Sequence, residues 1–226
     1  MDQKILIQFP TRERPQKFLH VAKKYIDYMN KKTNWHMNVS CDEDDSTMNN
    51  PTMIRKVYNL APDGFITLNF NANQNKIQAV NADVDSFEFD IVLLASDDMI
   101  PKERGYDMII RKYFSSYFPD LDGVLHFDDG HQHDMLNTLC ILGRAYYNRF
   151  KYIYHPSYKS LWADNEFDEV SRTLGKRRYI ERLIIKHDHP DANINVPNDE
   201  LYIRNNRFEL ADRTNYNNRK AKNFDL

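Results

Sequence analysis

Two adjacent acids, Asp97 and Asp98, follow directly on the apolar run 91–95. Neighbouring carboxylates at the end of a buried strand suit a hard divalent cation, because they leave coordination positions for substrate phosphates. The same pair also suits an ordinary Asp-Asp turn ahead of Pro101. The run 91–95 is too continuous for a strand with one wet face and reads as a central strand covered on both sides. Ligands of open α/β sheets bind outside the carboxyl ends of such strands. Two His-x-His pairs, His131 with His133 and His187 with His189, add imidazoles. In an extended segment residues two apart share a side, so each pair is able to face one site.

The elements that position these residues alternate between strand and helix, the pattern of an α/β protein. Residues 4–9 form the first strand, which Pro10 stops, and Pro15 opens a helix over 15–31 with Phe18, Ala22, Tyr25 and Met29 inward. A strand over 36–41 runs into the acids Asp42, Glu43, Asp44 and Asp45, of which Asp44 and Asp45 are expected to face solvent. A short helix over 53–60, a strand over 65–70 and a helix over 75–84 precede the central strand 90–95. Beyond it come a helix over 103–118 with Tyr106, Ile110, Tyr113 and Tyr117 on one face, a strand over 123–127 ending in Asp128-Asp129-Gly130, and a short strand then a helix from near Gly143. Asp164 is placed to cap a helix that Gly175 ends, and a late strand over 183–186 delivers His187-Asp188-His189. The polar stretch after about Pro197 reads as a helix or a loosely packed arm, giving one main domain over 1–196 and an arm over 197–226.

With 226 residues, 41% hydrophobic and 13% aromatic, the chain is long and apolar enough for one substantial core. A net charge of −2 argues against binding nucleic acid through bulk charge, and no stable nucleic-acid partner is expected. No secretion signal or long apolar span is visible, and two cysteines make no disulfide framework, so a cytoplasmic setting is expected, with peripheral membrane contact still open.

Four motifs in this order resemble a known family: Phe9-Pro10-Thr11-Arg12-Glu13-Arg14-Pro15 after the first strand, Asp42 after the second, Ser96-Asp97-Asp98 after the central strand, and Ala163-Asp164-Asn165-Glu166-Phe167 before a late helix. Together they resemble the GT-A glycosyltransferases, closest to the small bacterial and viral nucleotide-sugar-dependent type, from about Lys4 to Pro190. The resemblance implies a Rossmann-like three-layer fold with a central, mostly parallel sheet. It implies transfer of a sugar from a nucleotide donor, a UDP-sugar, to a glycan or other hydroxyl acceptor with Mn²⁺ or Mg²⁺. Pro10, Thr11, Arg12 and Arg14 then surround the base and ribose, with either arginine reaching the diphosphate. Asp42 accepts a hydrogen bond from uracil N3–H, Lys76 stands near the donor, Ser96 opens a DxD-type motif, Asp97 contacts the ribose and Asp98 the metal. His187, or else His189, completes the metal site, and the His131/His133 cluster and Trp162 meet the acceptor.

Asp164 falls on the catalytic base of inverting members, with Glu166 as a second choice or an acceptor contact. Ala163 departs from the Glu that many relatives carry. A metal-dependent phosphohydrolase or nucleotidyltransferase would use Asp97, Asp98, His187 and His189 equally, but would not need residues 10–15 or Asp42. A catalytically inactive relative that keeps glycan or nucleotide binding is the third reading.

Overall fold

The computed structural model of the protein describes residues 2–188 and 200–226. The expected boundary near 196 and the metal candidate His189 lie outside the described residues. Among the described residues no helix is long and apolar enough to cross a membrane.

The first strand, β1 (Ile5–Thr11), sets the three layers through its alternation. Ile5, Ile7 and Phe9 join one core cluster, and Leu6 joins a second on the opposite face. The central strand, β4 (Ile91–Leu94), repeats this with Ile91 and Leu93 against Val92 and Leu94. Both strands are therefore covered on both sides, as their continuous hydrophobicity requires. The first cluster is filled by α1 (Pro15–Tyr28), α2 (Pro51–Tyr58) and α4 (Tyr106–Tyr117), the second by α3 (Lys76–Asn81), α5 (Arg144–Phe150) and α6 (Ala163–Thr173).

Seven strands make one sheet in the order β3-β2-β1-β4-β7-β6-β8, with β2 (Trp35–Asp42), β3 (Ile66–Asn71), β6 (Val124–Asp128), β7 (Ile141–Gly143) and β8 (Arg177–Leu183). Only β7 runs against its neighbours, so the sheet is mostly parallel. Gly143 closes β7 because a Cβ there would lie 2.1 Å from the Leu121 carbonyl oxygen. A second ribbon pairs β5 (Met99–Pro101) with β9 (Ile185–His187), Met99 opposite His187.

Several sequence expectations shift locally. Pro10 lies inside β1, opposite Ser40 of β2; the β1–β4 ladder has already ended at Gln8 opposite Leu94. In α4 the buried stripe is Tyr106, Ile110 and Phe114, spaced by four, and Tyr117 is exposed. Tyr117 shares that face by helical spacing but is the last residue of α4, past the core, where its ring stacks on Tyr113 at 5.9 Å. Where one late strand over 183–186 is expected, β9 covers Ile185–His187 and an unforeseen β8 ends at Leu183; between them the Ile184 carbonyl accepts from Lys102 N and Glu103 N. The polar tail folds as α7 (Glu200–Asn206) and α8 (Glu209–Lys220), and α8 packs on α6.

A buried amide chain fixes α3 on the sheet. Asn69 Nδ2 donates to Asn38 Oδ1, Asn38 Nδ2 donates to Gln8 Oε1, and Gln8 Nε2 donates to the Ala82 carbonyl. Gln8 and Asn38 have no exposed surface, so their polar atoms need these partners.

Candidate active site

A cavity of about 230 Å³ opens at the carboxyl ends of β1, β2 and β4. Pro10, Thr11, Arg12 and Arg14 line it from the end of β1, Asp42 from the end of β2, Lys76 from the start of α3, Ser96, Asp97 and Asp98 from the turn after β4, Asp164 from α6 and His187 from β9. These are the expected site residues save Glu166 and His189.

The cavity wall is held by ion pairs. Arg12 Nη1 meets Asp42 Oδ2 at 2.6 Å and also pairs with Asp44. Arg14 Nη1 meets Asp97 Oδ1 at 2.9 Å, and Lys17 Nζ lies 3.4 Å from the same oxygen. Burial pushes the Asp97 carboxyl up, against the pull of the Arg14 charge. Both arginines thus engage carboxylates, whereas Lys76 is an exposed cation on the cavity wall. Asp45, expected in solvent, is buried and accepts from Glu13 N at 2.8 Å and Thr47 Oγ1 at 2.7 Å, tying the loop after β2 to the loop after β1.

The β5–β9 ribbon carries His187 to Asp98. Ser96 Oγ donates to Asp98 Oδ1, and the other oxygen, Oδ2, lies 3.9 Å from His187 Nε2. A carboxylate oxygen and an imidazole nitrogen facing each other are a donor set that suits Mn²⁺ better than the oxygen-demanding Mg²⁺ when substrate oxygens complete the shell. Among the described residues no three His, Cys, Asp or Glu side chains group as a metal site.

Asp164 differs from its expected place by two positions. Trp162, in the left-handed conformation at φ 64°, is the N-cap of α6, and Asp164 lies in the first turn, its Oδ1 accepting from Asn165 N at 3.0 Å. Glu166 does not line the cavity. It is buried, accepts from Tyr158 Oη at 2.8 Å and is clasped by Arg219 at 2.7 and 2.9 Å, so it fastens α8 to α6. Trp162 packs on Tyr216 of α8, ring centroids 5.2 Å apart, and does not line the cavity either. His133 pairs with Asp128 at 3.0 Å, and the His131 ring lies 6.5 Å from that of His187.

No protein-family model matches the sequence, and no curated protein matches it. Solved structures do match in three dimensions. The mannosyltransferase PcManGT from Pyrobaculum calidifontis, in complex with GDP-Man and Mn²⁺, superposes with a TM-score of 0.64 at 13% identity over 81% of this chain and 55% of that one. S. aureus TarS gives 0.63 at 12% identity over 84% of this chain and 37% of that one. TarS 1-349 in complex with UDP-GlcNAc gives 0.62 at 12% over 81% and 58%. The fold is that of the GT-A glycosyltransferases. At these identities the likeness is one of fold, and the chain spans less than two thirds of each of those chains.

In this GT-A fold the cavity occupies the crevice outside the carboxyl ends of parallel strands, where open α/β sheets take ligands. Two parts of its wall were not foreseen from the sequence: Thr138, Tyr154, Ser160 and Leu161 on one side, and Leu201, Arg204 and Phe208 from α7 and the turn after it. The only signal for Arg204 was an arginine in a polar tail, which carries no positional information.

Proposed function

We propose that the protein is a metal-dependent glycosyltransferase that moves a sugar from a UDP donor to a hydroxyl group of a glycan or other acceptor with inversion. One observation carries this reading: a single cavity gathers Asp42, Lys76, Asp97, Asp98, Asp164 and His187 from stretches of chain far apart in sequence. The Mn²⁺ or GDP-Man and UDP-GlcNAc named with the structurally similar proteins accord with it.

In this reading Pro10 and Thr11 border the base, and Asp42, held by Arg12, accepts from its N3–H. Asp97, held by Arg14, meets the ribose. Because both arginines are engaged, the cationic work on the diphosphate falls to Lys76 and Arg204. Asp98 and His187 would hold a divalent ion, which would supply charge stabilisation for the departing nucleoside diphosphate. Asp164 takes the proton of the acceptor hydroxyl as its oxygen bonds to the anomeric carbon and the bond from that carbon to the phosphate oxygen breaks.

The test is a panel of nucleotide sugars with and without Mn²⁺, scored by binding and by slow donor hydrolysis. UDP released from a UDP-sugar, and lost in Asp98→Ala, is the expected result. Binding of no nucleotide sugar, or release of UMP in place of UDP, overturns the proposal.

A further inference from the structure

Asp129 directly follows β6, has 1% of its surface exposed and does not line the cavity. Its Oδ1 accepts from His131 N at 2.8 Å and Gln132 N at 2.7 Å, and its Oδ2 accepts from Thr138 Oγ1 at 2.5 Å. A buried carboxylate surrounded by donors is an acceptor fixed in place. That second oxygen also faces His187, 3.9 Å from Nδ1.

The His187 imidazole is therefore bracketed by two carboxylates, one for each ring nitrogen: Asp98 at Nε2 and Asp129 at Nδ1, both at 3.9 Å. The backbone repeats the bracket. His187 N donates to the Asp129 carbonyl at 2.9 Å, and Asp188 N donates to the Asp98 carbonyl at 2.8 Å. Because Asp129 faces the ring edge opposite Asp98, it does not share a cation with Asp98. An imidazole that ligates a metal through one nitrogen presents N–H at the other, and a carboxylate there sets the tautomer and the ring orientation.

We propose that Asp129 is a positioning residue: it takes the Nδ1–H of His187 and so holds the tautomer whose Nε2 lone pair points toward the cation shared with Asp98. The inference rests on the metal assignment of the preceding section. Thr138 links the same carboxylate to the cavity wall, so the ligand, its support and the donor site are joined through one buried group.

The experiment has two parts. Free Mn²⁺ is measured by electron paramagnetic resonance during titration of the full chain with UDP present, for the wild type, Asp129→Asn, His187→Ala and the control Asp128→Asn. Separately, ¹⁵N NMR reads the His187 tautomer in metal-free wild type and Asp129→Asn at alkaline pH. Asparagine keeps an oxygen for the turn but no longer offers a carboxylate to Nδ1–H. Mn²⁺ binding is expected to weaken about 10- to 100-fold in Asp129→Asn, with Asp128→Asn near wild type, and the Nδ1–H tautomer is expected to dominate only in the wild type. Unchanged Mn²⁺ affinity in Asp129→Asn, while His187→Ala loses it, overturns the positioning role alone. An Nε2–H tautomer in the wild type also overturns it, whether or not the variant folds. Mn²⁺ binding that His187→Ala leaves intact overturns the metal assignment and this inference with it.

Discussion

Asp164 spends one side-chain oxygen on Asn165 N and lies in a half-buried first turn that lines the cavity. An asparagine keeps that acceptor and the shape but removes the carboxylate proposed as base. Asp164→Asn is expected to lower kcat by about 10²- to 10⁴-fold while donor binding, followed by UDP titration, stays near wild type. Unchanged turnover would reduce Asp164 to a first-turn acid of α6. Positions set by chain neighbours were legible: Asp97 and Asp98 follow a run that has to be buried, and Asp42 closes a strand. Roles set by distant partners were not. The sequence offers Arg14 as a phosphate ligand, and only the fold shows that Asp97, remote in the chain, occupies it. Glu166 looks like a second base until Arg219 is seen against it.

Elements decide how firmly those residues are held. The loop that supplies Ser160 and Leu161 to the cavity has no strand or helix of its own. It hangs on Asp212 of α8, whose buried carboxylate accepts from Lys159 N at 3.0 Å and from Ser160 N and Leu161 N, each at 2.8 Å. Asp212→Ala leaves three amides to find other partners, which costs roughly 1–3 kcal/mol per buried unsatisfied group. A lower urea midpoint and a raised KM for the donor are expected, measured by denaturation and steady-state kinetics; a wild-type midpoint would show that the loop holds without α8. The strands and helices around this loop were readable from periodicity, because each buries a face. Two details were not. The break at Ile184 exists because its carbonyl serves the chain after β5, and α6 starts on Trp162 instead of a capping side chain; neither leaves a mark in local composition.

At the scale of the whole molecule, the two-faced sheet buries one titrating group whose charge state opposes folding. His126 on β6 has no exposed surface and touches Arg177 through Nδ1. Burial, reinforced by the Arg177 charge, pushes its pKa down to about 4, against about 6.5 in an unfolded chain. Between those values the unfolded chain takes up a proton that the folded chain refuses, so stability falls as pH drops through that window. Urea unfolding of His126→Asn is expected to show a shallower decline from pH 7 to pH 4.5 than the wild type; parallel curves would exclude the histidine as the cause.

The wall built by Leu201, Arg204 and Phe208 also bears on the order in which the cavity is assembled. Among the described residues every cavity residue outside 201–208 comes at or before His187, so this wall leaves the ribosome after the others. While the chain is still leaving the ribosome, the sheet is able to assemble with its crevice open on that side. On the proposed function, nucleotide capture waits for residues 201–208: UDP is expected to stabilise the 226-residue chain against unfolding, through preferential binding to the native state, far more than chains stopped before residue 200.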